Sequence, residues 1–155
     1  MVDKAQSKLK ASSEHTVDTA IFSPMFGMFI LTSVVWVYMY AKRIPWITQA
    51  NLSDEDLTPA RFMALQPPEV ANPSDNLKNL FEMPVLFYAL VLYLYVTGHV
   101  DQIHVISAWT FFVLRVAHSI MHCTRNVVIV RFWIYALSCV AFFVMLARAI
   151  AQHLG

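Results

Sequence analysis

Residues 20–41 read AIFSPMFGMFILTSVVWVYMYA, twenty-two positions without one charged side chain. At a rise of about 1.5 Å per residue such a helix covers the ~30 Å hydrocarbon core of a bilayer. Lys42 and Arg43 close the run, and Trp46 follows where aromatic side chains collect at a membrane surface. The run is too long for a signal-peptide core and is not followed by a small-residue cleavage pattern, so it is expected to stay in the mature chain as an anchor.

Three further apolar segments follow, at about 76–98, 103–123 and 127–151. The second opens after Pro73, Ser74 and Asp75, a helix-start pattern, and carries Lys78, Asn79 and Glu82 in its first turns. The connection around Asp101 and Gln102 is so short that segments two and three must be antiparallel neighbours. The chain therefore reads as all-α, an integral membrane four-helix bundle over 20–151 behind a polar tail at 1–19. Residues 42–75 are the one long polar loop. In it Thr58 and Pro59 should start a short helix that Pro67 and Pro68 terminate.

Composition agrees. The chain is 58% apolar and 14% charged, against roughly 25% charged for an ordinary globular domain. A net charge of +1 with scattered Lys and Arg gives no basic footprint, which excludes nucleic acid as a partner. Cys123 and Cys139 both fall inside apolar runs and read as small buried hydrophobes.

A charge at mid-membrane depth costs about 2.5 to 3.5 kcal/mol on insertion scales, so an intramembrane ion marks a candidate site. Glu82 and Arg115 both fall about 9 to 12 Å below the same surface and are expected to pair across helices two and three. Asp75, Asn79 and Glu82 share one face of helix two, and Arg115, His118 and His122 one face of helix three. Two such faces at one depth imply a polar pocket, with a structural ion pair as the plainer reading of Glu82 and Arg115. On helix four, Tyr135 lies one turn beyond Arg131, so both reach the mouth of that pocket. The phenylalanines of helices one and four, among them Phe22, Phe26, Phe29, Phe132, Phe142 and Phe143, read as lipid-facing or packing residues.

The pair His118 and His122 invites a metal, with Glu82 or Cys123 as a third ligand. No second histidine pair accompanies it and Arg115 on the same face would repel a cation, so no metal site is assigned. His99 and His104 belong to the opposite membrane face, too far to complete a haem site.

KNLFE with Lys78, Asn79 and Glu82, RVAHSIMH with Arg115, His118 and His122, and Arg131 with Tyr135 stand in order on three successive helices. In this the chain resembles the MAPEG superfamily, membrane-associated proteins in eicosanoid and glutathione metabolism, from about Ile21 to Ala151. The resemblance implies a homotrimer with glutathione as co-substrate, bound between neighbouring subunits by Lys78, Asn79, Glu82, Arg115, His118, His122 and Tyr135. Arg131 is the residue it implies as catalytic, stabilising the glutathione thiolate. The implied activity is a glutathione-dependent transferase or peroxidase acting on lipophilic electrophiles. Physical chemistry agrees, since a guanidinium beside a thiol favours the thiolate. The chain departs from the pattern at Asp75, where many catalytic members have a basic residue, at His122, where they have tyrosine, and at Phe132, where one branch has serine. Two rival readings follow: a non-catalytic subunit of a larger membrane complex, and a metal or quinone site around His118, His122 and Glu82.

Lys42, Arg43, Arg61, Lys78, Arg125 and Arg131 lie on the long-loop side, against Lys4, Lys8, Lys10 and Arg148 on the other. The excess puts the long loop in the cytoplasm and both termini across the membrane. A cysteine introduced beside Asp54 is expected to react with a thiol reagent only from the cytoplasmic side; labelling from outside reverses the topology.

Overall fold

The structure is a computed structural model that describes residues 18–155; the tail expected at 1–19 lies almost wholly outside them. Among the described residues there is no strand. The helices are α1 (Phe22–Gln49), α2 (Pro59–Leu65), α3 (Pro68–Leu80), α4 (Met83–Thr97), α5 (Gln102–Cys123) and α6 (Val128–Leu154), with a 3-10 turn at Asp54–Leu57. Four stretches are long and apolar enough to cross a membrane: Asp18–Gln49, Pro68–Thr97, Gln102–Cys123 and Val128–Leu154. The chain is a multi-pass integral membrane protein.

Its polarity is arranged for a bilayer. Ile30, Val34, Val96 and Val128 are exposed, whereas Asn76, Arg115, His118, Ser119, His122 and Ser138 are buried. Lipid solvates the apolar surface, and the polar groups must find partners inside the bundle. Between them lies an apolar core in which Phe87 of α4 stacks on Phe111 of α5, centroids 4.6 Å apart, with Phe142 and Met145 of α6 alongside. Phe26, Phe29, Phe132 and Phe143 face outward, as lipid-facing residues should. Gly27 lets α1 close on α5: a Cβ there would lie 2.8 Å from the Phe112 ring.

Two boundaries differ from the sequence reading, for related reasons. Helix α1 does not stop at Ala41 but continues to Gln49. Lys42 folds over the Tyr38 ring at 5.6 Å and Arg43 donates to Ser74 Oγ at 2.6 Å, so the charges mark where the hydrocarbon ends and the helix itself carries on. The second membrane stretch starts at Pro68 rather than near Asn76. Pro67 and Pro68 do end α2, because Gln66 before a proline is pushed to an extended ψ of 127°. Pro68 then opens α3 at its first turn, where its missing N–H costs nothing.

At the other end of the bundle, Gly98 closes α4 in the left-handed conformation at φ +67°, which a residue with a Cβ adopts only at a cost. Asp101 then caps α5, accepting the N–H groups of Ile103 and His104 at 3.0 Å each. Its second carboxylate oxygen accepts from Arg148 and from Gln152, the latter at 3.2 Å, both of α6. One carboxylate thus clamps the start of α5 to the end of α6.

Burial alone would raise the Asp101 carboxyl, but the His104 backbone N–H and the Arg148 guanidinium together outweigh it and hold it below its ordinary 3.8. A carboxyl lowered by folding stabilises the fold fully above its unfolded pKa, and that contribution is lost as pH falls through the lower folded value. Acidification below about pH 4 should therefore lower the melting temperature in detergent, and Asp101→Asn should remove that part of the loss. Parallel melting curves for parent and variant across this range would show that the carboxylate is not the clamp.

Candidate functional site

The site grows from a break in the second membrane stretch. Pro84 has no N–H to offer the Leu80 carbonyl and its ring crowds the preceding turn, which kinks or breaks a helix; here the helix breaks, whereas Pro45 and Pro73 are carried inside α1 and α3. Helix α3 ends at Leu80 and α4 begins at Met83, with Glu82 between them at φ −96° and ψ −103°. The break leaves carbonyls near the end of α3 without their helical donors. Arg115 of α5 supplies one, its Nη1 donating to the Asn79 carbonyl at 3.4 Å.

Arg115 has no exposed surface. Its guanidinium lies 4.3 Å from the Tyr135 ring centroid and 5.2 Å from that of Phe111, so two aromatic faces help hold its charge. The expected ion pair with Glu82 does not form: no carboxylate among the described residues lies within 4.0 Å of Arg115. Glu82 is exposed and accepts from the Tyr135 hydroxyl at 3.1 Å. Tyr135 bridges the two, ring to the cation and hydroxyl to the anion.

Arg131 is the second centre. Its Nη1 donates to His122 Nε2 at 2.6 Å and to Asn126 Oδ1 at 2.7 Å. A guanidinium only donates, so His122 accepts at Nε2 and, when neutral, carries its proton on Nδ1. The group nearest that nitrogen is Asn79 Nδ2, 3.4 Å away; two donors cannot bond, so a hydrogen bond between them requires the Asn79 amide turned over to bring its Oδ1 to His122. His118 donates from Nδ1 to the Arg131 carbonyl at 3.1 Å, leaving Nε2 buried and without a partner among the described residues. The two imidazoles meet edge to face with centroids 5.5 Å apart.

A cleft of about 360 Å³ opens against these groups, lined by Asn79, Glu82, His118, Arg131 and Tyr135 with Val128 and Phe132 as its apolar wall. That volume falls within the ~300 to 1,000 Å³ of small-molecule sites. Of the residues singled out from sequence, Arg115 and His122 stand behind this cleft and five line it. Lys78 does not join them. It is exposed, pairs with Asp75 at 2.8 Å, and borders a separate hollow with Arg43, Phe62 and Ser74. Successive helical residues point about 100° apart, so Lys78 and Asn79 cannot face the same way.

The face of α3 that meets α5 and the loop after it is also one residue out of register with the face expected. Asp75 is exposed; the inward positions are Asn72, Asn76 and Asn79. Asn72 accepts from Asn126 Nδ2 at 2.8 Å, and Asn76 meets Ser119 at 3.4 Å and Cys123 Sγ at 3.5 Å. The reading from sequence passed over Asn72, Asn76 and Asn126. The signal was present for the first two, since asparagines at i, i+4 and i+7 line one helical face. Among the described residues no three His, Cys, Asp or Glu groups are placed to hold a metal ion.

The model of the MAPEG family matches residues 21–151, nearly the whole of the bundle and every group in this site. The chain belongs to the MAPEG family. It is thus a membrane protein of the eicosanoid and glutathione metabolism kind. No curated protein and no solved structure matches it.

In this MAPEG chain the role of Tyr135 can be separated from that of Glu82. Tyr135→Leu removes an aromatic face from a desolvated guanidinium and should cost about 2 kcal/mol. Glu82→Gln, at an exposed hydrogen bond, should cost less than about 1 kcal/mol. Thermal unfolding in detergent reads both; an equal loss for the two variants would mean that Arg115 depends on Glu82 directly.

Proposed function

We propose that this MAPEG protein is a glutathione-dependent membrane transferase or peroxidase acting on lipophilic electrophiles. The observation that carries the reading is Arg131, a guanidinium on the wall of a cleft where Val128 and Phe132 of the same helix set apolar surface beside it and Asn79, Glu82 and His118 set polar groups around it. Its Nη1 is engaged from behind by His122 and Asn126, and its other nitrogens make no hydrogen bond among the described residues. Those free N–H groups suit a thiolate, which gains both charge and directed donors.

In the proposed reaction the glutathione thiol gives its proton to water and the thiolate pairs with Arg131. For conjugation, sulfur bonds to the electrophilic carbon as a leaving group departs with the bonding electrons. For peroxide reduction, sulfur attacks one peroxide oxygen, an alcohol leaves, and a second glutathione displaces water to give the disulfide. Glu82 has the charge to hold the ammonium of the tripeptide, and Asn79 and Tyr135 offer it hydrogen bonds. Val128 and Phe132 supply the surface along which a bilayer-dissolved substrate would enter.

Lys78 supports a site shared between subunits. In one protomer it lies on a different flank from the cleft, beside Arg43. A homotrimer that sets this flank against the neighbour's cleft would return Lys78 to the glutathione carboxylates. Native mass spectrometry in mild detergent should accordingly find three chains.

Arg131→Ala should abolish the ultraviolet absorbance of the glutathione thiolate and all thiol-dependent turnover while leaving expression and oligomeric state intact. Arg131→Lys should restore only part, because an ammonium keeps the charge and loses the planar fork of donors. Equal thiolate formation in parent and Ala variant would sink the catalytic assignment. A parent that forms no thiolate and co-purifies with partner subunits would favour the assembly-subunit reading.

A further inference from the structure

The partners of Arg131 among the described residues are all electrically neutral, although a guanidinium inside a membrane bundle can be met by a carboxylate as well as by neutral acceptors. His122 accepts through an unprotonated nitrogen and Asn126 through an amide oxygen. No carboxylate among the described residues lies within 4.0 Å of the Arg131 nitrogens. Asn126 is itself held twice. Its backbone sits in the left-handed region at φ +46°, with its N–H on the Met121 carbonyl at 2.8 Å, and its side chain donates to Asn72 Oδ1 at 2.8 Å. The amide that grips Arg131 is therefore fixed from the loop and from α3 together.

We infer that Asn126, braced by Asn72, is a positioning residue that aims the Arg131 guanidinium into the cleft while leaving its full positive charge uncompensated. The inference rests on the thiolate role given to Arg131 above and assigns the residues that make that role possible. Two neutral acceptors fix the direction of Nη1 without drawing down the charge. A carboxylate in either place would hold the group equally well and would compete with the thiolate. The other titratable or charged groups facing this corner are His118 and Arg115 from α5, Tyr135 from α6, and Asp75 and Glu82 from the α3 side. Asp75 is engaged by Lys78 and Glu82 by Tyr135.

Asn126→Asp and Asn126→Gly separate charge, positioning and turn formation. Aspartate keeps the shape, tolerates the left-handed backbone and sets a carboxylate on Arg131. Glycine keeps the turn and removes the grip. The test titrates thiolate absorbance against pH with glutathione on the full detergent-solubilised protein, beside a melting curve. Asn126→Asp should raise the thiolate midpoint by about one pH unit or more with the melting temperature held or increased. Asn126→Gly should raise it by less, and Asn72→Ala should move it in the same direction. Midpoints equal to the parent's in both Asn126 variants overturn the inference and leave the transferase reading standing.

If the parent forms no thiolate, the transferase reading is the one that fails, and nitrogen NMR of the Arg131 guanidinium in the ligand-free protein decides the positioning role. The resonance, identified by its loss in Arg131→Lys, should be that of a rotationally fixed group in the parent and a free one in Asn126→Gly. Identical spectra for the two overturn the inference.

Discussion

Pro84 sets the problem that the interior of this bundle solves. In hydrocarbon there is no water to satisfy a backbone carbonyl, and an unmet one costs several kcal/mol. By interrupting the helix between Leu80 and Met83 the proline leaves such groups at the end of α3, and Arg115 is the donor that reaches one of them. A buried guanidinium is then a second problem, met only in part by the π faces of Tyr135 and Phe111, since its Nε and Nη2 have no hydrogen-bond partner among the described residues. Tyr135, so fixed, presents its hydroxyl to Glu82 at the break. Each step is imposed by the one before, and together they make the floor of the cleft.

Charge is distributed unevenly along the bundle, and its placement follows dielectric. The ion pairs between Arg or Lys and carboxylates among the described residues lie at the ends of the bundle: Asp101 with Arg148 beside the hairpin, Lys78 with Asp75 and Arg61 with Glu55 at the loop side. Deeper in, the polar contacts among asparagines, serine, histidines and Arg131 are neutral on at least one side. Burying two opposite ions together carries a desolvation penalty that their attraction often fails to offset. A cation held by neutral acceptors avoids one of those two penalties and retains its charge for a ligand. Arg131 and Arg115 are both of this kind, one at the cleft wall and one behind it.

The departures from the family pattern acquire a physical meaning in this arrangement. His122, where other members have tyrosine, does not line the cleft; it accepts from Arg131 and turns its other nitrogen to Asn79. An imidazole nitrogen accepts without needing a hydroxyl proton to be turned aside. Asp75, where a base is common, is drawn outward into a surface pair with Lys78 and forms no ion pair with Arg131. Phe132 extends the apolar wall beside the guanidinium. The pocket has fewer cations than the pattern implies, and Arg131 is left as the principal one facing it.

The sequence by itself determined the solvent and the count of crossings. Four apolar runs with charges at their ends admit no other stable placement than helices in lipid, because hydrophobic length and backbone satisfaction are local properties. The same locality set apart Arg115, His118, His122 and Arg131, since an ion or imidazole within an apolar run stands out by its cost, and Tyr135 followed from its place one turn beyond Arg131. Tertiary structure alone decided who meets whom. The pairing of Glu82 with Arg115 failed because depth along two helices fixes proximity in one dimension only, and the Pro84 break and the Tyr135 ring settle the other two. Asn72 and Asn76 carried a signal in their i, i+4, i+7 spacing with Asn79 but no charge to set them apart, and Asn126 carried none; the weight of each amide comes from its partners on other segments, which only the packing brings to it.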